Sequence, residues 1–281
     1  MLNEDGEEKD EPRKEEAERA DVEERTSPGG HIVYEAVRQE GLHELERSNS
    51  ALAWSGIAAG LAMGFSLLTE GVLRSHLPDT PWRPLITKFG YSIGFLMVVL
   101  GRQQLFTENT LTVILPLLRK PHARMFANVA RLWAIVLVCN VVGTFAMSWL
   151  MGNADVVSPE VRKSMQELAL ASIAPSFGSL LLRGIFAGFL IAIMVWLLPF
   201  AETARVWVII IVTYVVGIAE FSHVIVGSVE ASYLVGIRQI SLQDYFGFMV
   251  PVLLGNIIGG SSIVATIAHA QYIRGGEGKA A

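Results

Sequence analysis

From Ala51 onward the chain alternates between long apolar runs and short polar breaks. Six runs cover about 51–73, 89–118, 129–151, 177–200, 206–235 and 246–270. Each reaches the roughly 20 residues that a helix needs to cross a bilayer. The second and fifth are too long for one plain helix, and polar residues interrupt both: "GRQQLFTEN" at 101–109 and "GIAEFSHVIVGSVE" at 217–230. Ahead of them, Ile32, Val33, Ala36, Val37, Leu42 and Leu45 form a looser helical stripe interrupted by Gly41. That stripe predicts an amphipathic helix over 31–50 lying in the membrane interface, or else a short solvated one.

Composition agrees with the runs. The chain has 281 residues, 52% of them hydrophobic, and a mean hydropathy of +0.44. That is too apolar for a soluble domain of this size. The net charge of −5 is unevenly spread: residues 1–30 hold 12 acidic and 5 basic side chains, leaving 15 acidic and 17 basic in the body. The acidic segment has too little apolar surface to offset its ordering entropy and is expected to be a disordered tail. No cleavable signal peptide is expected ahead of the first run. The single cysteine, Cys139, excludes an intramolecular disulfide.

Orientation follows from charge. Arg119, Lys120 and Arg124 crowd the connection after the second run, which the positive-inside rule makes cytoplasmic. An even number of crossings then puts both termini in the cytoplasm, with mixed-charge loops at 74–88 and 152–176 outside. The last residues, 273–281, are expected to be a short tail.

The halves of the chain echo each other. "GIAAG" at Gly56–Gly60 recurs as "GIFAG" at Gly184–Gly188, and "NVVG" at Asn140 recurs within "GNIIGG" at Asn256. The offset between Asn140 and Asn256 also carries Thr107 onto His223. Three crossings per half make the second half enter upside down, giving inverted repeats with broken helices near the midplane. Such backbone is tolerated there only when buried in protein or lining a polar cavity. Thr107 suits an N-cap with Glu108 in the first turn, and Ser222 suits a second cap with a half-helix beginning near His223. Two helix N-termini facing each other make a natural place for a small anion.

The motifs "LFT" at Leu105–Thr107, Phe221-x-His223, "NVVG" and "GNIIGG" stand in one order on successive runs. With them the chain resembles the formate/nitrite transporter family over about residues 31–272. The resemblance implies an all-α, aquaporin-like bundle of six transmembrane helices with inverted three-helix repeats. It also implies a homopentamer in the bacterial inner membrane, with one pore per subunit. His223 and Thr107 would face the permeating anion. Leu105, Phe106 and Phe95 would line constrictions together with Ile191 and Val216, and Asn256 would be a polar residue beside the broken helices. The family's glutamate before the histidine is here Ser222, with Glu220 two residues earlier. The family's lysine before the fourth span has only Ser172 near it, Lys163 being too far upstream. Glu108 and Asn109 follow "LFT" where small hydroxyl residues are usual, and Arg102 and Arg183 are further departures.

An ionisable side chain inside a span is a functional candidate, which singles out His223. Arg102, Glu108, Glu220 and Glu230 form a possible charge network in which Arg102 neutralises a carboxylate. The glycine ladder Gly56, Gly60 and Gly64 suits close helix packing. The other histidines are scattered, and no metal-ligand spacing, phosphate loop or nucleophile elbow stands in the chain, so neither an enzyme nor a cofactor is expected. The function expected is a channel or secondary transporter for a small monovalent anion such as formate or nitrite. Permeation would be eased by protonation through His223, or His223 would stay neutral and offer a hydrogen bond. A pore for ammonia or hydrogen sulfide, and a non-conducting scaffold or sensor, remain alternatives. The partners expected are the lipid bilayer, the anion and further copies of the chain, and no nucleic acid.

Overall fold

The computed structural model describes residues 29–277, with side chains as far as Ile273. Most of the expected acidic tail, and the end of the expected C-terminal tail, lie outside the described residues. The first helix, α1, runs Gly30–Glu46 without interruption. It buries Tyr34, Val37, Gly41 and Leu45 while Ile32 stays exposed, so the buried stripe is rotated from the one expected. Gly41 is a contact and not a break. A Cβ there would lie 2.0 Å from the carbonyl oxygen of Thr112, and only glycine lets the helix sit so close.

Ser48 caps α2, Asn49–His76, by accepting from the N–H of Ala51. A short helix α3, Arg83–Thr87, and a 3-10 turn, Lys88–Gly90, lead directly into α4, Tyr91–Leu100. After a break come α5, Asn109–Thr112, and α6, Ile114–Arg119. Then α7 spans Ala123–Asn153. The second half consists of α9, Phe177–Leu197, α10, Arg205–Ile218, α11, Val224–Gly236, and α12, Leu242–Ile257. The last span passes through a π-helical stretch, Ile258–Ala265, into α13, Thr266–Glu277. Between the halves stands α8, Pro159–Ile173, where a loop was expected. Its start carries a full set of signals, with Ser158 as cap, Pro159 at the first position and Glu160 in the first turn.

The second and fifth runs are thus each two half-helices around a break. Five helical stretches among the described residues are long and apolar enough to cross a membrane, one of them, Arg83–Leu100, ending in the first half of the second run. The two halves pack alike, α2 on α7 and α9 on α12. A Cβ on Gly60 would stand 2.1 Å from the Asn140 carbonyl oxygen, and one on Gly188 would stand 2.4 Å from that of Asn256. The "GIAAG" and "GIFAG" echoes are therefore the same helix crossing made twice. Both described ends meet on one face: the Tyr34 hydroxyl bonds His269 Nδ1 at 2.8 Å and its ring stacks on Tyr272. The outside of the bundle is apolar, with Trp54, Trp149, Phe186 and Ile211 all more than half exposed. Lipid or neighbouring subunits must cover such a surface.

The crossings set a packing prediction. Gly60→Val and Gly188→Val should each cost more than about 1–3 kcal/mol, because backbone and not a flexible side chain blocks the new atoms. Gly178, whose Cβ would meet nothing within 4 Å, should accept alanine without loss. Thermal unfolding of the detergent-purified variants checks the contrast.

Candidate functional site

The breaks follow one backbone path. After α4, Arg102 takes the left-handed conformation at φ 49°, and after α10 Glu220 does so at φ 54°. A non-glycine residue there costs about 1–2 kcal/mol, so the surroundings must hold it. Gln103 N–H donates back to Val98 and Phe221 N–H to Val216. Asn109 N–H donates to Leu105 and Gly227 N–H to His223. Every one of these pairs is separated by the same interval, which is two residues longer than the one between the asparagines. Leu105, and not Thr107, is therefore the structural counterpart of His223, which corrects the repeat as read from the sequence.

Two buried amides hold the freed backbone. Asn140 Oδ1 accepts from Phe106 N–H at 2.9 Å, and its Nδ2 donates to the carbonyls of Gly56 and Gln104, both at 2.8 Å. Asn256 Oδ1 accepts from Val224 N–H at 2.9 Å, and its Nδ2 donates to Gly184 and Ser222, both at 2.9 Å. Each amide joins the carbonyl of another spanning helix to two backbone groups that stand two residues apart at a break. Asn256, expected along the pathway, has its oxygen and its nitrogen occupied by backbone.

His223 and Thr107 meet between the breaks, with Nε2 and Oγ1 2.6 Å apart and both residues buried. Neither expected cap forms. Helix α5 starts after Glu108 with no side-chain cap, since the Thr107 hydroxyl is turned to the histidine. Helix α11 is capped by His223 itself, whose Nδ1 accepts from Val226 N–H at 3.2 Å, and not by Ser222. Phe95 sets its ring edge-on to the imidazole, centroids 5.0 Å apart, and Phe106 does the same to Trp133 at 5.5 Å. Leu105, Ile191 and Val216 are wholly buried.

A cavity opens on each side of the pair. One, of about 100 Å³, lies on the face that carries both described ends and is lined by Glu40, Glu44, Arg102, Gln104 and Glu108 among others. Arg102 pairs there with Glu40 at 2.8 Å, not with Glu108, whose buried Oε1 has no partner among the described residues. The other, of about 180 Å³, reaches His223 and is lined by Lys88, Ser172, Arg183, Glu220 and Glu230. Arg183 pairs with Glu220 at 3.4 Å. Lys88 donates to Glu70 at 2.6 Å. Neither member of that last pair was expected. Lys88 lay in what read as a loop, and Glu70 in a run that read as plain span. Among the described residues no cluster of three metal-ligating side chains occurs.

The family profile described as Formate/nitrite transporter matches residues 31–270. The inner membrane protein YfdC of Escherichia coli K12 is 39% identical over 240 residues, which cover 85% of this chain and 77% of that protein. Among solved structures, a pentameric formate channel with formate bound superposes with a TM-score of 0.65 at 18% identity, covering 84% of this chain and 99% of that one. An FNT family ion channel gives 0.71 at 17% identity, covering 87% and 98%. The chain belongs to the formate/nitrite transporter family. It has the fold of that family's channels and is a transport protein, not an enzyme.

The amide clamps generate the next prediction. Asn140→Asp and Asn256→Asp keep the acceptor but set carboxylate oxygen against two carbonyls. Each should lose several kcal/mol, on the order of 1–3 per unpaired buried group and more for a buried charge. Yield of folded, monodisperse protein and its melting temperature report the loss, which should be alike at the two sites.

Proposed function

We propose that this member of the family is a channel or secondary transporter for a small monovalent anion of formate or nitrite size, passing between Thr107 and His223. The observation that carries the reading is one hydrogen-bond donor left free in a dry centre. Val226 N–H occupies His223 Nδ1, so the ring's Nε2–H is the hydrogen shared with Thr107 Oγ1. Thr107 then accepts, and its own O–H remains to be given to a passing anion. A proton on Nδ1 would set two donors face to face and undo the cap of α11. The geometry thus favours the histidine as a fixed donor over the histidine as a carrier of protons.

The surroundings suit that task. Phe95 packs on His223, Leu105 and Phe106 directly precede Thr107, all three are buried, and exclusion of water strengthens each remaining polar contact. An anion entering such a slit loses hydration worth far more than one hydrogen bond returns. The N-terminal end of α11, at His223, adds partial positive charge. The likeness to a pentameric formate channel supports a pentamer with a pore in each subunit. The name of the Escherichia coli relative supports the inner membrane, with Arg119, Lys120 and Arg124 and both termini toward the cytoplasm.

Uptake of labelled formate and nitrite into proteoliposomes tests the reading. Thr107→Val removes the free hydroxyl and keeps the bulk. It should slow uptake roughly tenfold or more, the worth of about 1.5 kcal/mol in a hydrogen bond to a charged group. Equal rates in the variant and the parent would remove Thr107 from the path. Transport that ignores an imposed membrane potential would mean that the permeant species is neutral.

A further inference from the structure

Glu230 stands two turns into α11 from His223, 8% exposed, on the wall of the larger cavity. Among the described residues its carboxylate forms no ion pair, although Lys88 lines the same cavity; Ser172 lines it too, with its hydroxyl given to the Ala169 carbonyl. Lys88 is committed to Glu70, which is 2% exposed and 2.6 Å away. The floor of this vestibule thus carries Glu230 and an ammonium whose charge is already matched by Glu70 behind it. The rim adds no net charge, since Arg74 pairs with Glu167 and Arg183 with Glu220. A buried carboxylate with half a share of a cation is expensive to keep ionised. The cavity it faces opens toward the solvent side, from which a proton can reach it.

We propose that Glu230, backed by the Glu70–Lys88 pair, is a proton-binding site of this vestibule, so that the floor switches between one net negative charge and none. The inference rests on the anion reading only for its consequence. An anion approaching His223 from this side meets a repelling floor until the proton binds. Acidification then opens the vestibule without any change at the histidine, whose Nδ1 is held by the cap.

The groups facing Glu230 from each neighbouring element are consistent with that role. From α2 comes Glu70, from the 3-10 turn Lys88, and from α4 Tyr91, within Coulombic reach. From α8 come Ser172 and Glu167, and from the second break Glu220 and His223. Helix α12 presents Tyr245, whose hydroxyl is given to Ser228 at 3.1 Å. Helix α7 presents the Ser148 hydroxyl and the Thr144 carbonyl, both bonded to Ser232. Farther along α11, Tyr233 bonds the backbone of Arg162 on α8. Lys88 is the one cation close enough to share, and Glu70 already holds it.

Infrared difference spectra of the full-length protein in lipid, taken across about pH 5 to 8, test the site without reference to any substrate. The parent should gain a protonated-carboxyl band on acidification. Glu230→Gln should lose that band, and His223→Asn should keep it. Ser172→Lys, on the solvent side of the same wall, should keep the band but shift its midpoint down by about one pH unit, a tenfold weaker hold on the proton. An unchanged band in Glu230→Gln, or an unshifted midpoint in Ser172→Lys, would overturn the proposal. A second arm measures current carried by nitrate, whose own charge does not change in this range. The parent current should rise on acidification and that of Glu230→Gln should stay high and flat, whereas a parent-like slope in the variant would overturn the gating role. A lost band with no current in any protein would leave the proton site standing and sink the anion reading instead.

Discussion

A helix that stops inside a bilayer frees N–H and C=O groups that lipid cannot bond. Here two asparagine amides take up that deficit, each with one acceptor and two donors engaged. Much of the rest is arranged around them. The glycine crossings exist because the clamp works only at short range: Gly60 and Gly188 lie directly against the asparagine backbone, and Gly56 and Gly184 offer the carbonyls that the amides bind. A larger residue at these crossings would push the clamp off the break. The central threonine and histidine keep their separation because the segments that carry them are pinned one residue away, at Phe106 and Val224.

How much of this could be read in advance divides along physical lines. The spans follow from run length alone, and the breaks from polar residues where apolar ones are expected, because the bilayer imposes both regardless of packing. The meeting of Thr107 with His223 was legible through the motifs, but its basis was not. Three-letter echoes cannot resolve a difference of two residues in offset, and the backbone pairs locate Leu105 as the histidine's counterpart. The caps failed for a different reason. Thr107 and Ser222 have the right chemistry for capping, but tertiary contacts claimed one hydroxyl and gave the other cap to an imidazole. Residue type sets a local preference that a buried partner overrides.

Charge was the least legible part. The mixed-charge segment 74–88 reads as a loop between spans, although Pro84 sits in the first turn of a short helix there, where its missing N–H does no harm. That helix delivers Lys88 to Glu70. The exposed pairs Arg102–Glu40 and Arg183–Glu220 contribute at most about 1 kcal/mol each and serve chiefly to keep each mouth near neutral. The Lys88–Glu70 pair differs in kind, since its carboxylate is sealed off. Loss of either partner would strand a charge in the interior, a penalty of about 3–5 kcal/mol. The sequence lists these charges, but only the fold decides which are sealed.

The repeat duplicates a scaffold and not a site. The left-handed positions at the two breaks carry opposite charges, Arg102 and Glu220, and each finds its counter-ion on a different element, Glu40 of α1 and Arg183 of α9. Where one half has Leu105 the other has His223, so a single imidazole serves a centre built by two equivalent breaks. A second histidine in place of Leu105 would add another polar ring to a centre otherwise ringed by buried apolar side chains. Leucine keeps that position apolar instead, and the polar demand of the histidine is met by Thr107 and by the cap of its own helix. Symmetric backbone supplies the two half-helix ends that only a membrane-buried break can provide. The chemistry lies in the positions where the halves disagree.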